Sequence, residues 1–126
     1  MKNLTIQATE LTPSVAMDYA AKKIEIRGES YAEDTAAFYA PIFQWIDDYL
    51  SETKQQSLLL DFSMIYLNSS TSKMFMDLFE NLDEAAREGR DVVVNWRYDE
   101  DNEMSLMYGE EFKADVEGLL FNLIAE

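Results

Sequence analysis

The densest run of reactive side chains in the sequence is Asn68-Ser69-Ser70-Thr71-Ser72. Four consecutive hydroxyls follow an asparagine, between an apolar stretch and an amphipathic one. At a helix start, hydroxyls can accept hydrogen bonds from free backbone N–H groups, and one or two suffice for that. Four are more than capping requires. A serine or threonine hydroxyl at such a place can also take a phosphoryl group, which adds roughly −1.5 to −2 charges. The positive end of the helix dipole and the unpaired N–H groups accommodate that charge. Capping and phosphorylation both fit the run, with Ser69, Ser70 and Thr71 as candidate acceptors.

The other chemistry is limited by two absences: the chain has no histidine and no cysteine. Neither Ser-His-Asp nor Cys-His nucleophilic chemistry can be assembled, and no thiolate can ligate zinc. Carboxylates, lysine, tyrosine or a hard metal would have to do any catalysis. The acidic loop at residues 99–103 begins like a calcium-binding EF-hand loop. Met104 stands where the invariant glycine belongs, however, and no glutamate closes the loop in register. A solvated turn is the expectation, with no metal and no cofactor. Asp61 interrupts an apolar strand and reads as a buried polar anchor or a residue facing the strand-end loop.

Composition narrows the class further. The 126 residues fit one domain spanning 1–126, and 48% apolar content supplies a core. A formal charge of −15 disfavours nucleic acid and anionic membranes, and suits a partner protein with a basic face. No stretch approaches a membrane-spanning length, so a cytoplasmic location is expected.

The elements that must position the hydroxyl run follow from periodicity. Residues 4–8 alternate weakly, 14–19 follow a Thr-Pro turn, and 23–27 alternate polar with isoleucine up to Gly28. Ser30-x-x-Glu33 fits a capping box opening a helix, with Phe38, Ile42, Trp45, Ile46, Tyr49 and Leu50 at helical spacing. Pro41 should kink this helix or mark a later start, and its end falls near 51–54. Residues 58–62 read as a strand buried on both faces, continued after a break by 65–67. The hydroxyl run then opens a second helix with Phe75, Leu78, Leu82 and Ala85 inward, stopped by Gly89. Another buried strand at 92–96 completes a right-handed βαβ unit. A helix over 103–115 and an apolar piece at 119–124, strand or short helix, end the chain. The expectation is an α/β fold: a mixed four- to five-stranded sheet covered by helices. Trp96 and Tyr98 share one side of their strand, so a partner-binding surface of Tyr66, Ser69 and Tyr98 is expected, and Met104 and Met107 could add contacts.

Four blocks in order resemble one family. Tyr66-Leu67-Asn68-Ser69-Ser70 resembles the Y-L-N-(T/S)-S segment of the SiaC family of bacterial regulatory phosphoproteins. Asn95-Trp96-x-Tyr98, followed by acidic residues and Glu103, resembles its N-W-x-Y block. Thr12-Pro13 with Asp18, and Gly28-Glu29-Ser30-Tyr31, fit its N-terminal pattern. The resemblance implies an anti-sigma-factor-antagonist-like (STAS-like) fold and a switch set by a partner serine/threonine kinase and a PP2C-type phosphatase. It implies Ser69 as the phosphoacceptor, with Tyr66, Asn68, Ser70, Trp96 and Tyr98 around the partner-binding face. The family's namesake, when unmodified, binds and activates a diguanylate cyclase in cyclic di-GMP signalling and biofilm formation, and phosphorylation prevents this. There are two departures: Ser69 stands where threonine is familiar, and the stretch Ala32-Glu33-Asp34 where Pro-Glu-Asn is expected.

The expectation is thus a non-enzymatic regulatory phosphoprotein. The competing readings are an unregulated acidic protein-binding or scaffold module, and a carboxylate- and metal-dependent enzyme.

Overall fold

The computed structural model describes residues 1–53 and 56–126. Nine elements follow in the order β1 (Leu4–Ile6), β2 (Ser14–Asp18), β3 (Lys23–Ser30), α1 (Thr35–Glu52), β4 (Leu58–Leu67), α2 (Ser69–Arg87), β5 (Val92–Tyr98), α3 (Glu103–Ala114) and β6 (Leu120–Ala125). The class is the mixed α/β fold expected, but the sheet has six strands, not four or five. The extra strand is β6, whose apolar run carries no clear period and so does not separate strand from helix by pattern alone.

The strands lie in sequence order across the sheet. β1, β2 and β3 are antiparallel neighbours, whereas β3 to β6 are parallel. Each parallel step is crossed by one helix, and every step advances in the same direction. Right-handed crossovers therefore put α1, α2 and α3 on the same face. Leu58, Leu60, Phe62 and Met64 of β4, with Val92, Val94 and Trp96 of β5, point into that layer and join one apolar cluster. The alternate residues Leu59, Asp61, Ser63 and Ile65 lie on the uncovered face. There Asp61 is buried by its neighbours: Arg97 Nε donates to it at 2.7 Å, and Lys23 stands 3.9 Å away. It is the polar anchor that the strand pattern suggested.

Local chemistry explains where the expectations shift. The N-cap of α1 is Asp34, whose carboxylate accepts from Ala37 N–H at 3.1 Å. Ser30 does not cap it: it ends β3, fully buried. Pro41 lies inside α1 on its exposed side, so the Ala37 carbonyl it leaves unpaired is also on the exposed side. The helix ends at Glu52, and the expected 51–54 boundary falls partly on Lys54, outside the described residues. The β2–β3 turn lacks glycine; Lys22 takes the left-handed conformation, with Asp18 accepting from Ala21 N–H.

One irregularity matters for the site. Gly28, at φ +123°, pairs with Met64, but Glu29 pairs with Tyr66, so Ile65 is an extra residue in β4. This bulge re-aims the end of the strand and breaks its alternation. It also frees carbonyls that hold α3: Ser105 Oγ donates to Met64 O at 2.7 Å, and Asn102 Nδ2 donates to Ile65 O at 3.0 Å. α3 can sit this close because of Gly109, where a Cβ would lie 2.5 Å from Trp96 Cδ1.

Candidate functional site

Asn68 caps α2 alone. Its Oδ1 accepts from Thr71 N–H at 2.9 Å, and its Nδ2 donates to Ala32 O at 3.2 Å. The hydroxyls that follow are therefore released from capping, and the three candidate acceptors among them have different environments. Thr71 is fully buried, its Oγ1 2.7 Å from Ser30 Oγ, which also accepts from Tyr39 OH at 2.9 Å. Burial pushes the Tyr39 phenol up to about 12, so it stays a neutral donor in this cluster. Ser70 is exposed but engaged: its Oγ lies 2.8 Å from Thr35 Oγ1 and donates to Asn68 Oδ1. Ser69, the first residue of α2, is exposed, and its hydroxyl has no hydrogen-bond partner among the described residues. Lys73, four residues on, shares its helix face and is also exposed.

The hydroxyl cluster ties two chain segments together. Ser30, Thr35 and Ala32 belong to the passage from β3 into α1; Asn68, Ser70 and Thr71 open α2. Asn68 N–H donates to Ser30 O at 2.9 Å as well. Tyr31 lies within this passage and stacks on Tyr66, ring centroids 4.5 Å apart and planes 17° apart. Tyr108 of α3 donates its hydroxyl to Leu67 O at 3.2 Å. Leu11 joins the same end, its carbonyl accepting from Tyr31 N–H. Leu11, Tyr31, Ile65, Met104 and Met107 are five of the eight large apolar residues that stand exposed among the described residues. All five belong to segments tied at the C-terminal end of β4, the end that carries Ser69.

Two expected partner residues are placed differently. Trp96 is completely buried, its indole N–H donating to Ser105 O at 2.9 Å; its ring is a core element that seats α3, not a contact surface. Tyr98 stands half-buried at the end of β5, packed against the core. It lines a cleft of about 390 Å³ with Arg27, Ser63, Ile65, Arg97 and Asn102. Tyr66 is paired with Tyr31 instead, because the bulge at Ile65 turns the end of β4 towards the β3–α1 passage. Ser30 was read only as a helix cap, and neither Thr35 as a hydroxyl partner nor Tyr108 as a pin was signalled in the sequence, since nothing in local spacing signals a contact across 35 to 41 residues. In the acidic loop at residues 99–103, Asp99 accepts from Asp101 N–H, and Asn102 caps α3 by accepting from Ser105 N–H. Among the described residues, no group of three or more acids, histidines or cysteines is arranged to hold a metal ion. No helix described is long and apolar enough to cross a membrane.

These features define a class: a small mixed α/β module with an unengaged hydroxyl at a helix N-terminus, set beside a rim of exposed tyrosine, leucine and methionine. The comparisons agree on which one. The model of the SiaC family of regulatory phosphoproteins matches residues 6–126. An uncharacterised protein of Pseudomonas aeruginosa is 35% identical over 115 residues, 91% of this chain and 90% of that one. The structure of SiaC of Pseudomonas aeruginosa aligns over 100% of both chains with a TM-score of 0.89 at 31% identity. A chain in the crystal structure of the diguanylate cyclase SiaD with its activator SiaC, from the same organism, aligns over 98% of this chain and 99% of that chain. Its TM-score is 0.92 at 33% identity. The chain belongs to the SiaC family of regulatory phosphoproteins.

Proposed function

We propose that this protein is a non-enzymatic cytoplasmic switch that binds and activates a diguanylate cyclase, and that a phosphoryl group on Ser69 turns the binding off. A serine/threonine kinase would add the group and a PP2C-type phosphatase would remove it. The cyclase assignment is supported by the similarity to SiaC, described as the activator of SiaD. The assignment to Ser69 is supported by one observation: of Ser69, Ser70 and Thr71, only the first is both exposed and without a hydrogen-bond partner. A kinase reaching Thr71 would have to open the buried contact with Ser30; one reaching Ser70 would compete with Thr35.

The docking face is the surface around Ser69: Tyr31, Tyr66 and Tyr108 with Met104 and Met107. Tyrosine supplies contact area at low entropy cost, methionine adapts its shape to a partner, and both are favoured at such contacts. Phosphate on Ser69 adds roughly −1.5 to −2 charges beside that surface. The fold tolerates it, since the helix N-terminus and Lys73 attract the anion. A docked partner does not, because burying the dianion against an apolar rim costs far more than the contact gains. The change is therefore in what can dock, with the fold left intact.

The test is peptide mass spectrometry on protein from its native cells, joined to binding of the cyclase SiaD by wild type, Ser69→Ala and phosphorylated protein. The expected result is one phosphate, on Ser69, with Ser69→Ala binding as unmodified wild type whether or not kinase is present. Phosphate on Ser70 or Thr71, or a folded Ser69→Ala protein that no longer binds, would overturn the assignment.

A further inference from the structure

The last strand of the sheet is an edge, and it lacks the devices that normally protect one. β6 reads Leu120-Phe121-Asn122-Leu123-Ile124-Ala125, without a charge, a proline or a bulge. Natural edges are blunted by such features or kept very short, because a free edge templates pairing with another chain. The opposite edge meets that rule: β1 has three residues and follows Lys2, with Asn3 accepting from Tyr19 N–H. β6 is twice as long and uncharged in a chain of net charge −15.

The hydrogen-bond phase of β6 shows what it offers. Glu126 N–H donates to Tyr98 O of β5 at 2.9 Å. Strand alternation then turns the N–H and C=O groups of Ile124, Asn122 and Leu120 towards β5 and those of Phe121, Leu123 and Ala125 towards the free edge. The three outward residues are spaced symmetrically about Leu123. An antiparallel copy of the same strand, related by a two-fold axis at Leu123, would pair Leu123 with Leu123, Phe121 with Ala125 and Ala125 with Phe121. All outward donors and acceptors of both edges would be satisfied, giving six hydrogen bonds with none left over. That symmetry is the property an isologous interface needs.

We propose that this chain self-associates through β6, forming one continuous twelve-stranded sheet across a two-fold axis. Two molecules of charge −15 repel, and β6 brings no ionised side chain against its copy; Glu126 falls opposite Leu120 and lies 3.8 Å from Arg97. The pairing does not involve Ser69. It leaves α2 and the tyrosine rim free, so both sites can be occupied at once. The contact is small, at the weak end of specific interfaces, so the dimer is concentration-dependent.

Sedimentation equilibrium of the full chain, in a series reaching the millimolar range, is the experiment. The mass should rise from 14.6 kDa towards twice that value. Ala125→Pro removes an outward N–H at an exposed position and costs the β5–β6 ladder nothing. It should weaken self-association at least tenfold with an unchanged far-UV spectrum, and Leu123→Pro should do the same if it folds. Ser69→Ala should associate as wild type. Because the chain has no cysteine, Leu120→Cys carries a unique spin label, and the two labelled Cα atoms should lie roughly 20 Å apart. A monomer throughout the series, an Ala125→Pro dimer as tight as wild type, or a different label distance would each overturn the proposal.

Discussion

The two ends of α2 are held by polar clusters of opposite character. At its N-terminus a neutral set of hydroxyls and an asparagine ties α2 to the β3–α1 passage. Towards its C-terminus one carboxylate does the tying: Asp83 Oδ1 accepts from the N–H groups of Glu117, Gly118 and Leu119 at 3.2, 2.7 and 2.8 Å. Its other oxygen lies 3.3 Å from Arg87. Each of those donors is matched, and the carboxylate is buried. The N-terminal cluster is just as well connected within, but Ser69 stands outside it with a free hydroxyl. A polar cluster with no group to spare holds structure together, and one with a group to spare can be read by another protein.

The sharpest way to break that contrast is Asp83→Ala. It leaves three backbone donors at the entry to β6 without their acceptor, at a cost of about 3 kcal/mol in urea unfolding. Binding of the cyclase by the folded fraction should not change. Burial pushes the Asp83 carboxyl up, but the three N–H donors and Arg87 outweigh it and hold it below the ordinary range. A carboxylate with a folded pKa below its unfolded one stabilises fully above the unfolded value. That stabilisation is lost as pH falls through the folded value. Acid unfolding of wild type should therefore be steeper than that of Asp83→Asn, read by circular dichroism between neutral pH and pH about 2. If Asp83→Ala lost cyclase binding as a folded protein, the two ends would not be functionally distinct.

The opposite signature belongs to Ser69→Asp. Stability should stay within about 0.5 kcal/mol of wild type, since the site is exposed and a carboxylate suits a helix N-terminus. Cyclase affinity, measured by calorimetry, should fall at least about tenfold, which is 1.4 kcal/mol. Between these extremes lies Asn68→Ala. It removes the cap and the tie to Ala32, and should cost about 1 kcal/mol while leaving the Ser69 hydroxyl accessible.

How much of this was legible before the structure depends on the range of the interaction. Alternation and helical spacing place β2 to β5 and all three helices, because those patterns are set by a core on one side. Ser69 was visible as one of three candidates from its position before an amphipathic run. What separates it from Ser70 and Thr71 is tertiary: Thr35 and Ser30 are brought up by the parallel pairing of β3 with β4. The same contact explains the misreading of Ser30 as a cap, since its hydroxyl is committed to Thr71 and Tyr39. Trp96 and Tyr98 were correctly read as sharing one side of β5. Which side faces the helices is decided by packing, and it buries Trp96. The bulge at Ile65, which carries Tyr66 towards Tyr31, has no local signal other than the brief break noted in the apolar run, and Gly28 lies across from it on another strand.

The smallest effect tests the finest distinction, between neighbouring serines. Ser70 bridges Thr35 and Asn68 at the surface, so Ser70→Ala removes two contacts that water can replace and should cost about 0.5 kcal/mol. Phosphorylation should proceed on Ser69 at an unaltered rate, followed by intact mass with kinase and ATP. If Ser70 were the acceptor, that signal would vanish at the same small cost in stability. If the bridge to Thr35 held Ser69 in place for the kinase, the rate would fall but the modified residue would stay the same. Thr35→Val separates the last two cases, because it cuts the bridge and keeps both serines. A slowed rate in Thr35→Val and in Ser70→Ala alike would make the hydroxyl cluster part of how Ser69 is presented. An unchanged rate in both would confine the switch to the Ser69 hydroxyl.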